Sequence, residues 1–305
     1  MILQKRIDKK TIYSAFAHYP KKQYLRKIIR TIRMISDEKI WNTIEAEQQR
    51  YNGLRLDEMK DYKKFYIYSI IAHSTAIEGS TLTEKDTQLL FDEGIVVKGK
   101  TIVEHLMNLD LKGAYEYAVS EAAKKTKITP DFLKQLNSLV MKNTGGIHNL
   151  AIGTFDSSKG DYRLCGVTAG VGGKSYMDCK KVPGNVIRLC EEINKRLDSK
   201  DLKEIYHLAF DAHFNLVTIH PWVDGNGRTS RLLMNYIQFY QDVVPTKIYK
   251  ENKGEYIKAL EESRESETTA PFRNFMANQH LKTLRQAITN YKKGQKQANS
   301  LSLLF

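Results

Sequence analysis

Twelve consecutive residues, from His220 to Arg231, carry side chains suited to chemistry on phosphate groups. They read His-Pro-Trp-Val-Asp-Gly-Asn-Gly-Arg-Thr-Ser-Arg. The imidazole of His220 can accept a proton near neutral pH, and the carboxylate of Asp224 is of the type that holds magnesium beside phosphates. The pattern predicts a site for a nucleotide polyphosphate and a magnesium ion.

A glycine-rich turn follows the carboxylate and leads into an apolar helix. The Gly-Asn-Gly sequence at 225–227 frees the backbone to turn tightly and to expose successive N–H groups. Apolar residues then recur at helical spacing over 228–240. We expect the turn at a helix N-terminus, where unpaired amides and the helix dipole bind anions. Arg228 and Arg231 share one face of the first helical turn and are expected to reach the same phosphates.

The motif has to be weighed against an accidental turn. An Asp-Gly-Asn-Gly turn is common by itself, and a histidine at a helix end needs no function. The whole motif fixes about seven positions, so its chance frequency is on the order of 20 to the minus 7 per site. The interpretation as a functional site therefore outweighs the accidental one.

The motif resembles the signature of the Fic family, His-x-Phe-x-(Asp/Glu)-Gly-Asn-Gly-Arg-x-x-Arg, with Trp222 in place of the usual Phe. A tryptophan can also serve as the aromatic anchor behind the loop. The resemblance implies a protein adenylyltransferase, which transfers AMP from magnesium-bound ATP to a Ser, Thr or Tyr hydroxyl of a protein. It makes His220 the general base and Asp224 the magnesium ligand. The residues implied to bind ATP are Gly225, Asn226, Gly227, Arg228 and Arg231.

A second motif, Ser-Thr-Ala-Ile-Glu-Gly at 74–79, lies far upstream. Taken alone, Glu78 is a solvated residue at a helix end, where the helix dipole mildly disfavours its charge. The sequence resembles the inhibitory motif of Fic proteins, Ser/Thr-x-x-x-Glu-(Gly/Asn). Its place before the core implies the class with an N-terminal inhibitory helix, in which Glu78 pairs with Arg231. Ser74 and Gly79 complete that motif.

The glycine-rich stretch 143–173 interrupts the helical pattern. It predicts two short strands, at 161–168 and 175–177, or else a long surface loop. Its Gly-Asp-Tyr-Arg sequence at 160–163 resembles the segment that precedes the β-hairpin flap of Fic proteins. The resemblance places the flap at 167–174 and implies that Ala169, Gly170 and Val171 contact ATP. The edge of such a flap could pair with an extended segment of the target.

The rest of the chain is predicted to be mainly α-helical, with an N-terminal helical region and a Fic-type core. Hydrophobic periodicity and capping patterns predict helices at 24–50, 56–76, 84–90, 102–123, 130–141, 183–196 and 202–218. The stretch 248–260 continues the resemblance to the Fic family. Tyr256 falls where the family tends to place an aromatic ring beside adenine, although a core tyrosine fits equally well. We expect an N-terminal region at 1–100 with the inhibitory helix at about 56–79, a Fic core at 101–280, and a basic C-terminal helix or tail at 281–305.

Composition favours a cytoplasmic globular protein. The 305 residues are 41% hydrophobic and 27% charged, without a signal peptide or an apolar run that would span a membrane. The three cysteines have no metal-ligand spacing and fit a reducing cytosol. The net charge of +13 leaves nucleic-acid binding open, but no recognition motif supports it.

Three alternatives to AMP transfer remain at this stage. One is phosphate transfer as in Doc-like relatives, which tend to lose the second glycine; Gly227 argues against it. Another is removal of AMP, with Glu78 positioning a water molecule. The third is a non-enzymatic nucleotide-sensing or DNA-binding regulator, which only the basic charge supports. The target of the transfer would be another protein or the chain itself.

Overall fold

The computed structural model describes the backbone of residues 21–56, 60–168 and 173–302, and the side chains of 37–56, 61–168 and 173–293. This part of the chain forms ten α-helices and one small antiparallel sheet. They are α1 Lys21–Gly53, α2 Lys60–Ile77, α3 Glu84–Glu93, α4 Ile102–Ala123, α5 Pro130–Val140, β1 Ile147–Leu150, β2 Gly153–Asp156, α6 Val182–Arg196, α7 Leu202–Ile219, α8 Asn226–Tyr240, α9 Lys253–Glu265 and α10 Ala270–Ser302. Among the described helices, none has the length and apolarity needed to cross a membrane.

The centre of the fold is the antiparallel pair of α7 and α8, which the twelve-residue motif connects. Helix α8 is buried along nearly its whole length because α4, α5 and α7 pack around it. Its apolar side chains Leu232, Leu233, Tyr236 and Ile237 are completely buried. The N-terminus of α8 is thereby fixed inside a close-packed core, which holds the preceding turn in place.

Local sequence signals set several helix starts. Thr83 and Asp86 form a capping box at α3, and Thr101 and Glu104 form another at α4. Helix α5 begins with Pro130 in its first turn, behind a capping threonine. The predicted helices at 24–50, 102–123, 130–141, 183–196 and 202–218 are confirmed within a few residues at each end.

Helix α9 begins at Lys253, directly after a short 3-10 helix at Lys250–Asn252. Two backbone N–H groups just before α9 are taken by side chains of other elements. The N–H of Tyr249 donates to Gln279, and the N–H of Lys250 donates to His73. These long-range bonds hold the segment before α9 against α2 and α10.

The regular sheet lies upstream of the predicted strands. β1 and β2 pair antiparallel, with Ile147 opposite Asp156 and Leu150 opposite Gly153. The prediction of a regular strand at 161–168 is wrong, since only a bridge between Thr168 and Ser175 forms in the described part of this segment. The chain does turn back on itself there, as a flap requires. The implied ATP contacts Ala169, Gly170 and Val171 lie outside the described residues.

The expected domain boundaries at residues 100 and 280 stay predictions. Helix α10 continues from Ala270 to Ser302, so it passes through the expected boundary at residue 280 without a break. Helix α2 corresponds to the expected inhibitory helix at about 56–79. It ends at Ile77, and Glu78 and Gly79 form the turn that follows.

Candidate active site

The turn between α7 and α8 depends on two residues in the left-handed backbone region. Helix α7 ends at His220, whose φ is 53° and whose N–H donates to the carbonyl oxygen of Leu216. Gly225 caps the N-terminus of α8 with a φ of 76°. A Cβ atom at Gly225 would lie only 2.8 Å from side-chain atoms of Asn137 and Met141. Glycine is therefore required there for both conformation and space.

The loop is held in shape from the inside by Trp222 and Asn226. The Trp222 side chain is fully buried, and its indole N–H donates to the carbonyl oxygen of Gly160 at 3.0 Å. The Asn226 carboxamide accepts from the N–H of Trp222 at 3.1 Å and donates to its carbonyl at 2.9 Å. Asn137 donates to the carbonyl of Asp224 at 3.4 Å. Because its side chain is committed to the loop, Asn226 can contribute to anion binding only through its backbone.

Arg228 and Arg231 project from the first turn of α8 into the core, and each is 3% exposed. The Nη2 atom of Arg228 lies 3.3 Å from the Met141 sulfur and 3.5 Å from the Asp224 carboxylate. Its Nε and Nη1 atoms have no hydrogen-bond partner among the described residues. Buried guanidinium donors without partners are costly, so this cation is poised to accept an anion.

Arg231 is occupied by the second motif. Its Nε donates to the Ser74 hydroxyl at 2.8 Å, and its Nη2 donates to the Ser74 carbonyl at 3.0 Å. The same Nη2 lies 2.6 Å from the Glu78 carboxylate. Burial by itself would raise the pKa of Glu78, but the attraction of Arg231 outweighs it and lowers that pKa below its usual 4.5. The pair is therefore ionised on both sides at neutral pH.

Gly227 is needed for space and not for a left-handed turn, because it lies within α8 and has no positive φ. A Cβ atom at Gly227 would come within 2.3 Å of the Glu78 carboxylate and 3.1 Å of the Arg231 guanidinium. The glycine thus lets the carboxylate lie directly against the first turn of α8. Sequence reasoning attributed Gly227 to backbone freedom and missed this contact.

His220 presents one nitrogen as a base. Its Nδ1 lies 3.2 Å from the carbonyl oxygen of Val217, which can only accept, so the ring proton of the neutral form resides on Nδ1. Nε2 then carries a free lone pair. Burial lowers the pKa of His220 to about 4, and the positive charges of Arg163 and Arg264 act in the same direction. The imidazole is therefore neutral at pH 7.

Arg163 is a supporting residue whose role the sequence did not reveal, although the Gly-Asp-Tyr-Arg pattern had marked its position. It is 1% exposed and donates from Nε to the carbonyl of His220 at 2.8 Å. Its two other nitrogens donate to the carbonyls of Cys165 and Met177. One guanidinium thus fastens both arms of the flap to the backbone of His220. These bonds replace the strand pairing that was predicted for 161–168.

Asp224 and Tyr256 differ in their access to a ligand. The Asp224 side chain is 67% exposed at the edge of the turn and has one oxygen near Arg228. Tyr256 is 2% exposed, and its hydroxyl lies 3.1 Å from Nε2 of His213. Its ring contacts Phe272 in the core. The geometry of Tyr256 favours a core tyrosine, and its place beside adenine stays a prediction.

The fold and the site together define a helical domain whose glycine-containing turn caps a helix that is buried along nearly its whole length. Residues 127–238 match the model of the Fic/DOC family, so the chain carries a domain of that family. The predicted family and the mainly α-helical fold are confirmed.

Curated relatives carry the name protein adenylyltransferase Fic. The chain is 31% identical to the one from Drosophila erecta over 224 residues, covering 73% of this chain and 42% of the relative. It is 29% identical to the one from Drosophila grimshawi over 276 residues, covering 88% and 52%. The chain spans about half the length of these curated relatives.

Solved structures show the same fold at low sequence identity. Fic-1 from C. elegans superposes with a TM-score of 0.68 at 22% identity, covering 93% of this chain and 82% of that one. A Fic-domain signalling protein from Bacteroides thetaiotaomicron gives a TM-score of 0.69 at 22% identity, covering 82% and 98%.

Proposed function

We propose that the protein transfers AMP from ATP to a Ser, Thr or Tyr hydroxyl of a target protein. The observation that carries this proposal is the geometry of His220, whose half-buried imidazole bonds to Val217 through Nδ1 at the start of the glycine turn. The names of the curated relatives support the same activity. The target is another protein or a second site on this chain.

His220 acts as the general base in the proposed reaction. The target hydroxyl oxygen forms a bond to the α-phosphorus of ATP while the bond from that phosphorus to the pyrophosphate oxygen breaks. The hydroxyl proton passes to Nε2 of His220, which the hydrogen bond from Nδ1 to Val217 leaves free. Positioned general bases contribute roughly a hundredfold to ten-thousandfold to such rates.

The phosphates are held by the N-terminus of α8. The N–H of Gly225 is donated to Asp224, so the backbone N–H groups at 226–227 and the helix dipole attract the negative charge that develops on the phosphates. The unpaired Nε and Nη1 atoms of Arg228 gain partners when a phosphate binds. Because the arginine is already buried and oriented, little reorganisation is needed during the reaction.

A magnesium ion fits the acidic group of the turn. The Asp224 carboxylate accepts from the N–H of Gly225 at 2.6 Å and lies 3.5 Å from Arg228, but it is 67% exposed and keeps lone pairs that could join phosphate oxygens around a metal. In the described part of the chain, no three acidic, histidine or cysteine side chains are grouped so that they could hold a metal ion by themselves. When bound, magnesium would neutralise charge on the phosphates.

We further propose that Glu78 inhibits the transfer and that the protein is of the class with an N-terminal inhibitory helix. Glu78 and Ser74 together engage the Arg231 guanidinium, which would otherwise orient the γ-phosphate. A carboxylate 2.6 Å from that guanidinium also repels a triphosphate electrostatically. ATP then binds in a pose that does not favour attack by the target hydroxyl.

Removal of AMP is the second candidate function, because the ionised Glu78 carboxylate lies directly against the turn at Gly227. There it would orient a water molecule toward a protein-bound AMP.

The free thiols of Cys165, Cys179 and Cys190 fit a reducing compartment, and we propose the cytoplasm as the location of the protein.

The deciding experiment uses ATP labelled on the α- or the γ-phosphate, incubated with lysate and with wild-type protein, Glu78→Gly or His220→Ala. Label transferred from the α-phosphate alone by Glu78→Gly, and absent with His220→Ala, supports AMP transfer. Label from the γ-phosphate alone means phosphate transfer and refutes the proposal. Loss of label from pre-modified target on adding wild-type protein favours AMP removal.

A further inference from the structure

The imidazole of His220 has an aromatic neighbour that the proposed mechanism does not use. The ring of Tyr176 stacks on it, with ring centroids 3.7 Å apart and ring planes 16° from parallel. The guanidinium carbon of Arg264 lies 5.7 Å from the centroid of the same tyrosine ring. Nε of Arg264 also donates to the Thr218 hydroxyl at 3.3 Å, which ties it to the end of α7.

Tyr176 belongs to the returning arm of the flap. Its N–H donates to the carbonyl of Val167 at 3.0 Å, next to the bridge that closes the two arms. The following residue, Met177, accepts a hydrogen bond from Arg163, and Arg163 also donates to the carbonyl of His220. The backbone of the flap arm and the backbone of the base are therefore joined through one buried side chain.

The imidazole itself has few restraints. Its one hydrogen bond in the described structure is the 3.2 Å contact of Nδ1 with Val217, and a single bond of this length leaves the ring free to tilt about its axis. Flat stacking against Tyr176 restricts that tilt. It also covers one face of the ring and keeps water from it.

We propose that Tyr176 is a positioning residue that holds the His220 imidazole with Nε2 directed at the turn. Its ring also covers one face of the imidazole, so that the target hydroxyl cannot approach from that side. The target hydroxyl then approaches from the uncovered side. The part of this inference that concerns AMP transfer rests on the proposed function. The part that concerns the ring geometry of His220 does not depend on any activity.

The charged groups near the His220 imidazole determine how its pKa would respond to a change at Tyr176. Arg163 and Arg264 are positive, and Asp224 is the negative group in range. Tyr176 adds no charge and supplies burial. Removing its ring while leaving these charges in place should therefore loosen the imidazole and raise its pKa from about 4 toward the ordinary value.

The test compares Tyr176→Phe, which keeps the stacking ring, with Tyr176→Leu and Tyr176→Ala, which remove it. Nitrogen-15 labelling of histidine in the full chain reports the tautomer of His220 by NMR. We expect one tautomer, protonated on Nδ1, in the wild type and in Tyr176→Phe. A mixture of tautomers and a higher pKa are expected in both ring-less variants.

Kinetics in the Glu78→Gly background give a second readout. Loss of the ring should lower kcat roughly tenfold to a hundredfold, as small misplacements of catalytic groups do. The KM for ATP should be nearly unchanged. Tyr176→Phe, which keeps the ring, should retain the kcat of the parent protein. Unaltered histidine spectra in both Tyr176→Leu and Tyr176→Ala would overturn the inference, even if one variant folds poorly. Altered spectra without any AMP transfer by the parent protein would instead refute the proposed function alone.

Discussion

Replacing Glu78 by glycine removes the carboxylate that engages Arg231 and should raise AMP incorporation. The substitution suits the position because Glu78 lies in the turn after α2 and makes its one side-chain hydrogen bond, in the described structure, to Arg231. Arg231 keeps its two bonds to Ser74. The guanidinium therefore stays near its present place and gains a free donor for the γ-phosphate.

The size of the effect follows from the pair that is broken. Hydrogen bonds between charged groups contribute about 1.5 to 3 kcal/mol. The Glu78 side chain is 34% exposed, so solvent screening places the free-energy contribution of the Glu78–Arg231 pair in the lower part of that range. At about 1.4 kcal/mol per tenfold change, the productive pose of ATP should become roughly tenfold more populated.

The assay measures label from the α-phosphate in lysate proteins and in the protein itself. We expect Glu78→Gly to incorporate about tenfold more label than wild type and Glu78→Gln to give a smaller gain. The double variant Glu78→Gly with Arg231→Ala should lose the gain. Glu93→Gln is the matched control, because Glu93 is an exposed acid in α3 away from the turn.

Thermal unfolding provides an independent check on the same pair. Arg231 is 3% exposed, so losing its carboxylate leaves a buried cation short of an acceptor and should lower the unfolding temperature without nucleotide. Magnesium-ATP should restore it by supplying a phosphate. If Glu78→Gly binds ATP but labels no more target than wild type, Glu78 is not the inhibitory residue.

Four further outcomes are expected. His220→Ala should lower transfer about a hundredfold or more while ATP affinity, measured by calorimetry, changes little, since the base does not hold the phosphates. Asp224→Ala should weaken ATP binding in the presence of magnesium and leave the metal-free affinity unchanged. Gly227→Lys should weaken ATP binding by crowding the first turn of α8, because even a Cβ atom there meets Glu78 at 2.3 Å. The transfer rate should be independent of pH above about 5 and fall through the His220 pKa of about 4 as the base is protonated; a fall centred near 6.5 would contradict this.

The sequence was most informative where local pattern and chemistry coincide. Helical periodicity located α4, and capping patterns located the starts of α3 and α5, because those signals act within one or two turns. The spacing of the Gly-Asn-Gly turn before an apolar run correctly placed that turn at the N-terminus of α8, while its role in anion binding stays a prediction. The implied contact of Glu78 with Arg231 is present at 2.6 Å, although its inhibitory role stays a prediction.

The sequence was least informative where distant segments meet. The three carbonyls that Arg163 binds belong to residues as far as 57 positions away, and no local pattern encodes them. The stacking of Tyr176 on His220 and the closeness of Gly227 to Glu78 are likewise products of packing. The hydrogen bonds that the N–H groups before α9 donate to α2 and α10 are of the same kind.

The way in which Glu78 is held indicates how inhibition would be released. The turn that carries it is closed by bonds from the N–H groups of Glu78 and Ser80 to the carbonyl of Thr75. Thr75 and Ser80 are also hydrogen-bonded to the side chain of Asn108 on α4, at 3.0 and 3.3 Å. Moving the whole end of α2 would break these buried bonds together with the pair to Arg231. Rotating the Glu78 side chain alone breaks only that pair, so we expect a bound nucleotide or target to displace the carboxylate while the helix stays in place.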